Sequence, residues 1–168
     1  MADEDPVNRK LGLAMVEFVQ QMSACHDTED VVMRRVHTEK FRQAILDAVA
    51  DGFENSLAWH TLGVWMEMGK ERIGCFARAL QLVEREDAMT PAKDFNTHWV
   101  RDDMRASCYY EIGRVHAAEG SADVALDFLS RALPWSRKAD EWKAKGKLPV
   151  HSCTDKIVAL QSELQKKI

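Results

Sequence analysis

The sequence is short of residues that break helices. Four prolines and eight glycines are spread over 168 residues. That is too few to punctuate a chain of short strands, so long uninterrupted helices are expected. No apolar run approaches the roughly 18 residues that cross a bilayer, so no membrane insertion is expected. The start, Met1 to Pro6, is acidic and has no basic segment followed by an apolar one, so no secretory signal is expected. Cys25, Cys75, Cys108 and Cys153 form neither a CxxC pair nor a short secreted framework. This points to a reducing, cytoplasmic setting with the thiols packed as small apolar groups. No dense Lys/Arg stripe is present and the net charge is −4, which disfavours nucleic acid as a ligand.

Chemistry-bearing motifs are missing as well. There is no phosphate-cradling glycine loop, no HExxH and no nucleophile elbow, so no enzyme is expected. Cys25-His26 and His151-x-Cys153 are the only close ligand pairs. Nothing fixes four ligands at zinc-like spacing, so neither metal nor cofactor is expected. His98, Arg101, Asp102, Asp103 and Arg105 cluster in sequence and would suit acid–base chemistry inside a cleft. A helix start with acidic residues in its first turn explains Asp102 and Asp103 more simply.

What is present is an ordinary globular balance, 46% hydrophobic and 30% charged, enough for a packed core. The charge is uneven: residues 1–133 hold 15 basic and 23 acidic side chains, residues 134–168 hold 8 and 4. The body is acidic and the tail mildly basic.

Helical periodicity recurs along the chain. Leu11, Ala14, Met15, Phe18 and Met22 give one face over 7–24. Val32, Val36, Phe41, Ala44, Ile45, Ala48 and Val49 give another over 29–51, with Gly52 as its stop. Asn55 or Ser56 caps a third helix that carries Trp59, Leu62 and Gly63 to Gly69. A fourth covers 70–86 and a fifth 102–118. A sixth, over 121–133, has Val124, Ala125, Phe128, Leu129 and Ala132 inward and ends before Pro134. A seventh covers 152–167. Residues 87–101 read as an irregular insert that packs down in part, and 136–149 as a Lys-rich, flexible or partly helical connector. Short links between amphipathic helices imply antiparallel hairpins.

Two segments carry a repeat. Tyr109, Tyr110, Ile112 and Gly113 are followed by Gly120, Ala125-Leu126, Leu129 and Ala132-Leu133. Earlier, Trp59, Leu62-Gly63 and Gly69 lead to Phe76 and Ala79-Leu80. This pattern resembles the tetratricopeptide repeat. Gly63 and Gly113 lie 50 positions apart where the family repeats at about 34, and the surplus matches the 87–101 insert.

The resemblance implies an all-α fold of antiparallel hairpins stacked as a short right-handed solenoid with flanking capping helices. Residues 1–54 form an N-terminal pair, 55–134 two repeat-like pairs, and 135–168 the connector and a capping helix. The family's first helices line a concave groove that receives a partner protein. On matching positions the groove presents His60, Val64, Glu67, Tyr110, Arg114 and Ala117. These positions do not reproduce the Lys/Asn clamp with which some members hold chaperone tails. Trp65, Trp99, Trp135 and Trp142 fall outside the main apolar stripes and are candidates for an accessory surface. The expected function is protein binding, as an adaptor, assembly factor or dedicated chaperone. An inhibitor or immunity protein for a cognate enzyme or toxin, or a structural homo-oligomer, is the alternative.

Overall fold

The structure is a computed structural model that describes residues 5–25, 31–149 and 153–168, the Phe95 side chain excepted. The described residues form seven helices and no strand: α1 (Pro6–Ala24), α2 (Val31–Ala50), α3 (Ser56–Trp65), α4 (Lys70–Met89), α5 (Phe95–Ala118), α6 (Ala122–Lys145) and α7 (Cys153–Gln165). None is long and apolar enough to cross a membrane. The fold is all-α. Hairpins α1–α2, α3–α4 and α5–α6 stack in chain order, and α7 lies on the last of them.

Local chemistry sets the helix ends. Asp5 caps α1, its side chain accepting from the Val7 N–H at 2.9 Å, with Pro6 opening the helix. Asn55 caps α3 through the Ala58 N–H at 2.8 Å. Glu86, reaching across from α4, accepts from the backbone N–H and the hydroxyl of Ser56, both at 3.0 Å. Gly69 (φ 145°) and Gly120 (φ 82°) make the hairpin turns in a backbone region that disfavours other residues.

Packing follows the periodic stripes. Leu11, Phe18 and Met22 meet Phe41, Ile45 and Ala48, with the Phe18 and Phe41 rings stacked at 4.6 Å. Phe76, Leu80 and Val83 meet Met104, Cys108 and Ile112. Ala125, Leu129 and Ala132 meet Ile157 and Leu164. The two motif glycines act by letting helices approach. A Cβ at Gly63 would lie 3.0 Å from the Phe76 ring, and one at Gly113 would lie 3.1 Å from Leu129.

Three expectations need correction. Residues 87–101 are no irregular insert: α4 runs on to Met89, α5 begins at Phe95, and only 90–94 lie between them. The Asp94 carboxylate caps α5 through the Thr97 N–H at 2.8 Å. The surplus residues lengthened two helices. The Lys-rich connector is also largely helix, because α6 passes through Pro134 and ends at Lys145. Ala125, Leu129, Ala132, Ser136, Ala139 and Lys143 form one buried stripe on both sides of the proline. Pro134 and Ser130, whose carbonyl loses its helical partner, face solvent. Finally, Val32, Val36 and Val124 are exposed rather than inward, Val32 by 72%.

Candidate interaction surface

Helix α2 has 20 residues and α3 has 10, lengths of about 30 and 15 Å at 1.5 Å per residue. The first turns of α2 therefore overhang the α3–α4 turn. Beneath that overhang lies a groove of about 870 Å³, lined by α2, the end of α3 and the start of α4. The half-buried Trp65 and the exposed Val64 (42%) and Met68 (47%) provide its apolar surface. Arg34, Arg35, Arg42, Lys70 and Arg72 line it, against Glu39, Glu67 and Glu71. A body with an acidic excess thus collects an excess of cations at one apolar cleft.

The pairs on the rim are loose. Arg35 meets Glu67 at 3.1 Å with both side chains more than 70% exposed. Arg42, itself 30% exposed, meets Glu71 at 2.8 Å, and the hydrogen bond to that carboxylate raises the Arg42 pKa against a smaller opposing effect of burial. A pair as exposed as Arg35–Glu67 contributes about 0–1 kcal/mol.

Arg72 differs from the other arginines. It is buried (9% exposed) and donates to the carbonyls of Val64 at 3.1 Å and Met66 at 2.8 Å and to the Glu111 carboxylate at 2.5 Å. Glu111 also accepts from Arg114 at 3.0 Å. The backbone at the end of α3, where the groove begins, is in this way fastened to α5.

The six predicted groove residues separate into three settings. Val64 and Glu67 line the groove under α2, with Trp65 between them. His60 turns inward. Its Nε2 lies 2.8 Å from the Ser107 hydroxyl and its ring stands edge-on to Phe76. Burial lowers its pKa, opposed by Glu111 and Asp103. Tyr110, Arg114 and Ala117 line a second cleft, about 520 Å³, whose other wall is α7 with Lys156, Leu160 and Leu164. Tyr110 and Ala117 pack on the core shared with α7, and burial raises the Tyr110 pKa. Helix α7 thus covers much of the surface that the sequence assigns to a partner here.

Of the accessory tryptophans, only Trp65 lines the large groove. The other three belong to the seam between α5 and α6. Lys143 lies over Trp99 at 5.3 Å, Arg105 over Trp135 at 4.7 Å, and His98 stacks on Trp142 at 4.7 Å. The acid–base cluster divides at the same seam: Asp103 turns to Lys143 at 2.7 Å, whereas Asp102 pairs with Arg105 at 3.4 Å. His26 and His151, halves of the two close ligand pairs, lie outside the described residues. Among the described residues no three His, Cys, Asp or Glu side chains converge as a metal site would require. The four thiols are free, and burial pushes Cys75 and Cys153 up to about 11 and Cys108 higher still, so these three are poor nucleophiles.

Arg34, Arg35, Arg42, Arg72 and Met68 were missed as groove residues. A signal was present: Arg34, Arg35, Thr38 and Arg42 follow helical spacing along one side of α2. Comparison with family models, with curated proteins and with solved structures finds no match.

Proposed function

We propose that this chain is a protein-interaction module of tetratricopeptide-repeat type, an adaptor, assembly factor or dedicated chaperone. It binds an acidic, amphipathic segment of a partner protein in the groove beneath α2. The observation that carries the reading is the groove itself, with exposed Val64 and Met68 and half-buried Trp65 beside Arg34, Arg35, Arg42 and Lys70 on a chain whose net charge is negative. A segment with carboxylates on one face and apolar side chains on the other complements both features. The close helix approach at Gly63 and Gly113 and the turns at Gly69 and Gly120 support the repeat assignment. The basic, apolar groove supports partner binding.

Selection from a random peptide display library against the immobilised chain tests this. The selected sequences are expected to combine Asp or Glu with apolar residues at three- and four-residue spacing, and to lose binding to a Val64→Glu variant. Selection of basic sequences, or of binders indifferent to Val64→Glu, would count against the groove.

A second reading, self-association, is favoured by one observation: the outer faces of the first hairpin expose Leu13 (65%), Val16 (51%), Val32 (72%) and Val36 (52%). A mass by light scattering that rises with concentration supports it. A constant monomer mass removes it.

A further inference from the structure

A smaller cavity of about 310 Å³ lies between the end of α4, the 90–94 loop, α5 and α6. It is separate from the groove under α2. Its walls carry Arg101, Arg105 and Lys138 against Asp87 and Asp102, beside the indole of Trp135. Asp87 joins Arg101 at 2.6 Å and also binds Arg105. Arg105 and Asp102 are more than nine-tenths buried.

Two features go beyond what holding α4 to α5 requires. Arg101 uses one nitrogen, Nη1, for both Asp87 and the Thr90 carbonyl. Lys138, half exposed, reaches only a 4.0 Å contact with Asp102 and a place over the Trp135 ring. Donors therefore remain on both residues, with no protein acceptor among the described residues. In the other direction, the buried Oδ2 of Asp102 has no hydrogen bond of good geometry among the described residues; the Lys138 ammonium at 4.0 Å and the Trp142 side chain are the donors beside this carboxylate. Buried polar atoms left in this state are uncommon and costly.

We propose that this cavity binds a small carboxylate that also carries a hydroxyl or ammonium group. The carboxylate takes the spare donors of Arg101 and Lys138. The hydroxyl or ammonium donates to Asp102 Oδ2, which is uncovered as the Lys138 ammonium moves onto the ligand. An apolar body rests against Trp135. The cavity size suits a ligand of this class, and the cation excess attracts its charge.

The test follows the Trp135 indole N–H resonance, assigned with Trp135→Phe, during titration with phenylacetate, mandelate or phenylglycine. These probes share a ring and a carboxylate; mandelate adds a hydroxyl and phenylglycine an ammonium. Mandelate and phenylglycine are expected to bind about tenfold tighter than phenylacetate. Asp102→Asn, an isosteric change, erases that preference, and Lys138→Gln weakens all three. No response to any probe by about 10 mM, equal affinity for the three, or a response indifferent to Lys138→Gln overturns the proposal.

Discussion

Replacing Arg72 with methionine is expected to destabilise the fold by about 3 kcal/mol. Methionine keeps most of the stem volume, so little cavity is left, and the loss is polar. The change strips one partner from a buried ion pair, Arg72 with Glu111, whose side chains are 10% and 13% exposed. Breaking such a pair from one side costs about 3–5 kcal/mol. The lower end applies, because Glu111 keeps Arg114. The buried Met66 carbonyl loses its donor, at about 1 kcal/mol, while the part-exposed Val64 carbonyl turns to water at little cost. The buried Nε of Arg72 has no acceptor among the described residues, and removing it returns about 1 kcal/mol. Urea unfolding with an unchanged slope measures the difference. The double variant Arg72→Met, Glu111→Gln should recover more than about 1 kcal/mol of the loss, because it leaves no buried carboxylate short of its nearer arginine. A single-variant loss below about 1 kcal/mol, or strictly additive losses, would refute the reasoning that this pair fastens α3 to α5.

Other expectations follow from the same contacts. Burial lowers the His60 pKa from its ordinary 6.5. Its contribution is therefore complete above pH 6.5 and is lost as pH falls through that value toward its folded pKa. The stability difference between wild type and His60→Gln should shrink between about pH 8 and pH 5, and an unchanged difference would place His60 in water. Pro134→Ala restores a donor to the middle of α6 and should stabilise the protein by up to about 3 kcal/mol, read as a rise in thermal midpoint. Glu86→Ala removes two hydrogen bonds from the start of α3 and should cost about 1–2 kcal/mol by urea unfolding.

Most of the helices are legible in the sequence because their stripes are apolar and regular. The Leu11–Phe18–Met22 and Phe41–Ile45–Ala48 faces are buried where periodicity places them. The second half of α6 is not legible in this way, since its stripe passes through Ser136 and Lys143, two polar residues, just after a proline. Lys143 is buried where Asp103, 40 residues earlier in sequence, accepts from its ammonium and the Trp99 ring lies against it, and no local pattern encodes that. The groove was half visible. Val64 and Trp65 at the end of α3 and Glu67 just beyond it carry a sequence signal, but the overhang of α2 depends on the relative lengths of two helices. Tyr110 and Arg114 carry the repeat register, yet α7 folds against their surface, a long-range choice that the register does not contain.

The most direct test of the groove is a charge swap. An acidic peptide from the display selection is titrated against wild type and against Arg35→Glu, Arg42→Glu, with helicity verified by circular dichroism and binding followed by tryptophan fluorescence. The account predicts at least a tenfold loss of affinity in the variant, corresponding to about 1.4 kcal/mol. It also predicts recovery when the peptide's acidic residues are replaced by lysine. Equal binding of the acidic peptide to both proteins, or no recovery with the lysine peptide, would contradict it.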